Sequence, residues 1–198
     1  MNLSRVIVPL LILLIGVGYV SWHVWQLLPM TATGKWVVTG ALLLCLVCFF
    51  TNFIFGLDDK PMSVAVALYE LGSSSLFIGF YLLLFFLVLD LGRQFHLVPR
   101  SFFYNSWIGT VSVIVIMTGL FVYGYFNYLH KERVPMVLNS DKPFHQPHRL
   151  VMMSDLHLGY HNRADEFRKW VDMINEENPE VILIAGDIID RSIRALIE

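Results

Sequence analysis

Four long apolar runs, followed by a change of rhythm, describe this chain. The runs cover about residues 6–25, 36–56, 64–89 and 107–128, and each reaches the ~20 residues that an α-helix needs to cross a bilayer. Beyond residue 130 the apolar stretches shorten to strand length. Leu150–Met153 is followed at once by polar residues and Gly159, which predicts a short buried strand. Val181–Ala185 is apolar without a break, the pattern of a parallel strand covered on both faces. Between them, Phe167, Trp170, Val171 and Ile174 fall at i, i+3, i+4 and i+7, one face of a helix, while Asp165, Glu166, Arg168, Lys169 and Asp172 fill the others. That stripe predicts packing against a sheet, with Asn162 as N-cap and Asn178-Pro179 as the stop. Strand, helix and strand in this order predict a right-handed βαβ unit whose strands end at the same edge.

The pattern divides the chain into a membrane anchor of four helices over 1–130, a linker over 131–148, and an α/β segment over 149–198. Within the linker, Val134–Leu138 is expected as an edge strand and Ser140–Pro143 as a turn. The first run is too long for the core of a signal peptide and lacks a small-residue cleavage site, so it is expected to be retained. Trp22 and Trp25 suit an interfacial belt, with His23 interfacial between them. Asp90–Ser106 is expected as a polar connection. Ser75 and Gly79 have the small-xxx-small spacing that lets helices approach closely. Glu70 is either an intramembrane acid, which would hint at transport, or a headgroup-level residue; the second reading is preferred. Cys45 and Cys48 form a Cys-x-x-Cys spacing in mid-membrane and are read as small packing residues.

Composition sharpens this reading. The chain of 198 residues is 56% hydrophobic and 15% charged, as expected of a membrane protein. A net charge of −2 suggests no nucleic-acid partner. An even number of spans places both ends on one side of the membrane. With the N-terminus in the cytoplasm, Arg5, Lys60, Lys131, Arg133 and Lys142 are inside, against Lys35, Arg93 and Arg100 outside. The positive-inside rule therefore favours a cytoplasmic α/β segment.

The chemistry gathers where the two short apolar runs end. Asp155 and His157 follow the first, and residues two apart in an extended chain point the same way, with Leu156 turned inward. Asp187 follows the second, after Gly186, where the backbone can turn sharply. Parallel strands bring both ends to the edge at which open α/β sheets bind ligands. Two carboxylates and an imidazole suit a divalent metal. His161 is expected in a solvated loop, and His145 and His148 in a solvated linker.

Asp155-x-His157 followed by Gly186-Asp187-x-x-Asp190 resembles the opening motifs of the calcineurin-like metallophosphoesterases. The form Ser154-Asp-Leu-His-Leu-Gly159 is similar to that of their bacterial membrane-associated branch. The resemblance covers about residues 134–198. It implies that Asp155 and His157 ligate one metal, that Asp187 bridges two, and that Asp190 supports the site. It also implies two-metal hydrolysis of a phosphoester with Mn, Fe, Zn or Mg, in a multi-pass protein of the bacterial inner membrane. The implied substrate is lipid- or nucleotide-linked. The family's later Gly-Asn-His and Gly-His-x-His motifs, which carry the remaining ligands and the catalytic histidine, are not in this sequence. The expectation is thus a truncated domain, inactive alone and an enzyme at full length. The alternative is a non-catalytic membrane protein carrying a degenerate segment.

Overall fold

In the computed structural model, residues 4–139, 141–142, 146–190, 192 and 194–197 are described. His145, Glu198 and the ends of the expected Ser140–Pro143 turn lie outside them. The elements run α1 (Ser4–Leu27), α2 (Ala32–Phe55), α3 (Met62–Gln94), a 3-10 turn (Arg100–Phe102), α4 (Trp107–Leu129), β1 (Leu150–Ser154), α5 (Ala164–Glu176), β2 (Val181–Ala185) and α6 (Arg194–Ile197). Two compact units emerge. One comprises residues 1–50 and 71–132, the other residues 51–70 and 133–198, so α2 and α3 each contribute to both.

Three helices, α2, α3 and α4, are long and apolar enough to cross a membrane. The described apolar part of α1, Leu11–Leu27, is shorter. The expected polar connection from Asp90 is corrected: α3 continues through Gln94, because Asp90 to Gln94 bring no proline and only one glycine, Gly92. At 33 residues α3 is about 50 Å long, more than a ~30 Å hydrocarbon layer requires. Its stretch without Asp, Glu, Lys, Arg or His is 71–89, or about 28 Å, bounded by Glu70 and Asp90.

The first unit is centred on Val20, Val24, Leu27, Leu28, Leu82, Phe86 and Val113. His23, expected at the interface, is buried at 3% exposure and stacks on Phe86 at 4.8 Å. Its Nε2 lies 3.1 Å from Asp90 Oδ2, which also accepts the Tyr19 hydroxyl at 2.7 Å. A buried imidazole has to find a polar partner, and the prolonged α3 supplies one. Gly79 has open space around its Cα, so the small-xxx-small expectation fails there. The close approach occurs instead at Gly109, where an added Cβ would stand 2.2 Å from the Phe102 carbonyl oxygen and 2.7 Å from Leu27 Cδ1. Ser106 caps α4 beside it, accepting from the Gly109 N–H at 3.0 Å. Gly109→Ala is expected to destabilise this unit by about 1–3 kcal/mol, the cost of overpacking. A lower unfolding temperature in detergent checks it, with Gly79→Ala as a near-neutral control.

In the second unit β1 and β2 pair in parallel, Leu150 against Val181 through Ser154 against Ala185. The helix between them holds its apolar stripe half-buried while Arg168, Lys169 and Asp172 are exposed, as the periodicity predicts. Three expectations are corrected. Val181–Ile184 are 45–49% exposed, so β2 is not covered on both faces within this chain. Val134–Leu138 forms no strand; the segment is exposed, and Pro135 has no N–H to give to a ladder. Asn162 does not cap α5. Its side-chain amide donates to the Leu156 carbonyl at 2.9 Å, and Arg163 is the N-cap without a side-chain hydrogen bond. The Asn178 stop holds, with Asn178 in the left-handed region at φ 46°.

Candidate metal centre

The strand ladder does not stop where the strands do. The Asp155 N–H donates to the Ala185 carbonyl at 3.2 Å, the His157 N–H to Asp187 at 3.2 Å, and the Leu158 N–H to Ile188 at 2.9 Å. The Asp190 N–H returns to the Leu158 carbonyl at 2.9 Å. Backbone pairing therefore lays residues 155–158 directly alongside 185–190. Leu156 and Leu158 are buried beneath, as expected for Leu156, and Asp155, His157 and Asp187 are exposed above.

Local conformation departs from the extended chain assumed for the Asp155–His157 pair. Both residues have positive φ, 51° and 43°, so the i, i+2 argument for a shared direction does not apply. Such backbone is strained for residues other than glycine and is characteristic of functional turns. Gly186 has φ 93°, and a Cβ there would stand 2.4 Å from Asp155 Oδ1. The absent side chain leaves the space that the Asp155 carboxylate occupies. Asp155, at the end of β1, and Gly186-Asp187, at the end of β2, are thus in close contact.

The donor types suit a divalent cation, and the backbone brings them to neighbouring positions. As their side chains stand, no group of three or more His, Cys, Asp or Glu capable of holding an ion is found among the described residues. Asp190 is otherwise engaged: its Oδ2 accepts the Tyr69 hydroxyl at 2.5 Å. His161, expected in solvent, lies 3.3 Å from Glu70 Oε1, and both side chains are exposed.

Sequence reasoning missed the participation of residues 51–70. Leu57, Ala65 and Tyr160 form a buried cluster, with Met62, Val66, Leu68 and Tyr69 against it. Asp58 accepts from the Tyr160 hydroxyl at 2.8 Å and from the Ser192 hydroxyl at 2.6 Å, while Arg194 donates to the Asp58 and Lys60 carbonyls. Asp58-Asp59 in a short polar loop was the only available signal. The Ser192 and Tyr160 hydrogen bonds hold the Asp58 carboxyl below its ordinary value. A lowered folded-state pKa contributes stability that is full above the unfolded value, about 3.9, and is lost as pH falls through the lowered one. The contact of Asp58 with Tyr160 and Ser192 is therefore expected to persist at pH 5 and loosen below about pH 4. Hydrogen exchange at Tyr160 and Ser192 checks this, and Asp58→Asn should remove the pH dependence.

Residues 148–197 match the family model described as Calcineurin-like phosphoesterase. A zebrafish (Danio rerio) protein named "Transmembrane protein with metallophosphoesterase domain" is 34% identical over 98 residues. The match takes in 46% of this chain and 22% of that protein, so the chain spans about a fifth of the relative's length. No solved structure matches.

Proposed function

We propose that this chain is the membrane anchor and the opening part of the catalytic domain of a metal-dependent phosphoesterase. The observation that carries the reading is the ladder beyond the strands, which brings Asp155-x-His157 against Gly186-Asp187 in the segment matched by the family model. The relative that pairs a transmembrane region with a metallophosphoesterase domain supports the same association of parts.

In this reading Asp155, His157 and Asp187 would hold the divalent cations, and Asp190 would support the loop. Manganese, iron, zinc or magnesium all accept oxygen and imidazole donors. The cations supply charge neutralisation at phosphorus and a hydroxide nucleophile. The chain's own residues fix where that happens. Gly186 leaves room for the Asp155 carboxylate, and the buried Leu156 and Leu158 pin the loop that presents His157.

The substrate class that fits is a phosphoester presented at a membrane surface, lipid-linked or nucleotide-linked, since the segment follows three helices of membrane-spanning length along the chain. The charge balance favours the cytoplasmic face, with four spans if α1 also crosses. A bacterial inner membrane follows only from the Ser154–Gly159 motif. The second reading is a membrane protein with a non-catalytic segment, and the absence of a three-donor group among the described side chains is the observation in its favour. In a protein carrying the complete catalytic domain, manganese-stimulated release of a generic aryl phosphate, abolished by chelator, separates the two; its central variant is argued in the Discussion.

A further inference from the structure

Every loop of the candidate centre is held by the same short part of the chain. The loop carrying Asp187 ends at Asp190, whose carboxylate accepts the Tyr69 hydroxyl at 2.5 Å. The loop carrying His157 continues to Tyr160, which is 3% exposed, packs 5.7 Å from the Tyr69 ring and donates to Asp58. The two loops are joined by the Asp190 N–H to the Leu158 carbonyl and the His157 N–H to the Asp187 carbonyl. Residues 51–70 therefore grip both sides of the place where the metal ligands would meet. Ala65, fully buried against Tyr160, fixes the spacing, and the Asn52 amide donating to the Leu68 carbonyl at 2.6 Å ties the end of α2 to the start of α3.

A phenol donating to a carboxylate is a charge-assisted hydrogen bond, directional and short. It fixes Asp190 in one orientation. Outer groups of this kind commonly control metal affinity through the ligands they orient.

We propose that Tyr69 is a positioning residue of the phosphoesterase centre. From α3 it holds the Asp190 carboxylate and thereby sets the loop that presents Asp187, so that the centre is built in part from residues 51–70. The proposal rests on the phosphoesterase reading. Tyr69 stands two residues before the 71–89 stretch, which holds no Asp, Glu, Lys, Arg or His, so in this reading the support lies at the end of a membrane-spanning segment. The arrangement suits a reaction on a phosphoester whose polar part lies at the membrane surface.

Tyr69→Phe keeps the ring against Tyr160 and removes the hydroxyl alone. In the detergent-solubilised full chain, the dissociation constant for Mn2+ should rise about tenfold, the lower end of what loss of an outer-shell partner costs. The amides of Leu158 and Asp190 should exchange faster. In an Asp190→Ala background, which removes the acceptor, Tyr69→Phe should cause no further loss, since both changes break the same bond. Asp187→Asn is the control. If it leaves Mn2+ affinity unchanged, there is no centre and the proposal falls with it. If Asp187→Asn weakens Mn2+ binding while Tyr69→Phe does not, the centre stands and the positioning role is rejected. Faster amide exchange at unchanged Mn2+ affinity leaves Tyr69 only a structural contact and likewise overturns it.

Discussion

In a protein carrying the complete catalytic domain, Asp187→Asn is expected to abolish metal-dependent hydrolysis of an aryl phosphate, lowering kcat/KM by about a thousandfold or more. In the proposed centre Asp187 stands at the end of β2, beside the backbone of His157, and is the carboxylate shared between cations. Two like-charged cations in proximity require an anion between them. An amide of the same shape supplies an oxygen without the charge. Loss of that neutralisation removes several kcal/mol of transition-state stabilisation, and each 1.36 kcal/mol is a factor of ten in rate. Asparagine is nearly isosteric, and Asp187 is exposed with its backbone already paired, so the fold should be preserved. Rate against Mn2+ concentration, alongside amide exchange of β1 and β2, is the measurement. A variant as active as the parent would remove Asp187 from the chemistry. A parent with no chelator-sensitive activity and no Mn2+ binding would favour the non-catalytic reading.

What the sequence disclosed and what it concealed differ by distance along the chain. The stripe at Phe167, Trp170, Val171 and Ile174 and the run Val181–Ala185 are local patterns, and each produced its element. The pairing of Asp155-x-His157 with Gly186-Asp187 was also legible, since a parallel βαβ connection leaves few alternatives. Direction of the side chains was not, because positive φ at Asp155 and His157 breaks the alternation from which it was inferred. The clamp from Tyr69 to Asp190 joins residues 121 apart and has no periodic signature. The same holds for His23 and Asp90: a histidine between tryptophans looks interfacial until the extended α3 brings a carboxylate to it. Polar partners in a mostly apolar anchor are chosen by tertiary packing, which a hydropathy pattern does not encode.

Gly186→Ala tests the geometry and not the charge, and its effect should be second only to that of Asp187→Asn. The change adds one methyl group, yet it meets two obstacles. At φ 93° an L side chain is strained, by about 1–3 kcal/mol for a residue forced into such a region. The new Cβ would also fall 2.4 Å from Asp155 Oδ1 and 3.1 Å from Asp155 Cγ, so the carboxylate must swing away. The atom displaced is the end of a short side chain, so the fold survives while the first proposed metal ligand is lost from its place. Mn2+ affinity should therefore fall at least tenfold while the amides of β1 and β2 stay protected. Gly159 provides the comparison within the same centre. A Cβ there would stand 3.3 Å from Asp190 Cβ and 3.4 Å from the Ser192 carbonyl, tight but without positive φ. Gly159→Ala should shift affinity much less. If the order were reversed, Asp155 would not be the group for which the bend at Gly186 makes room, and the cation would have to be held elsewhere.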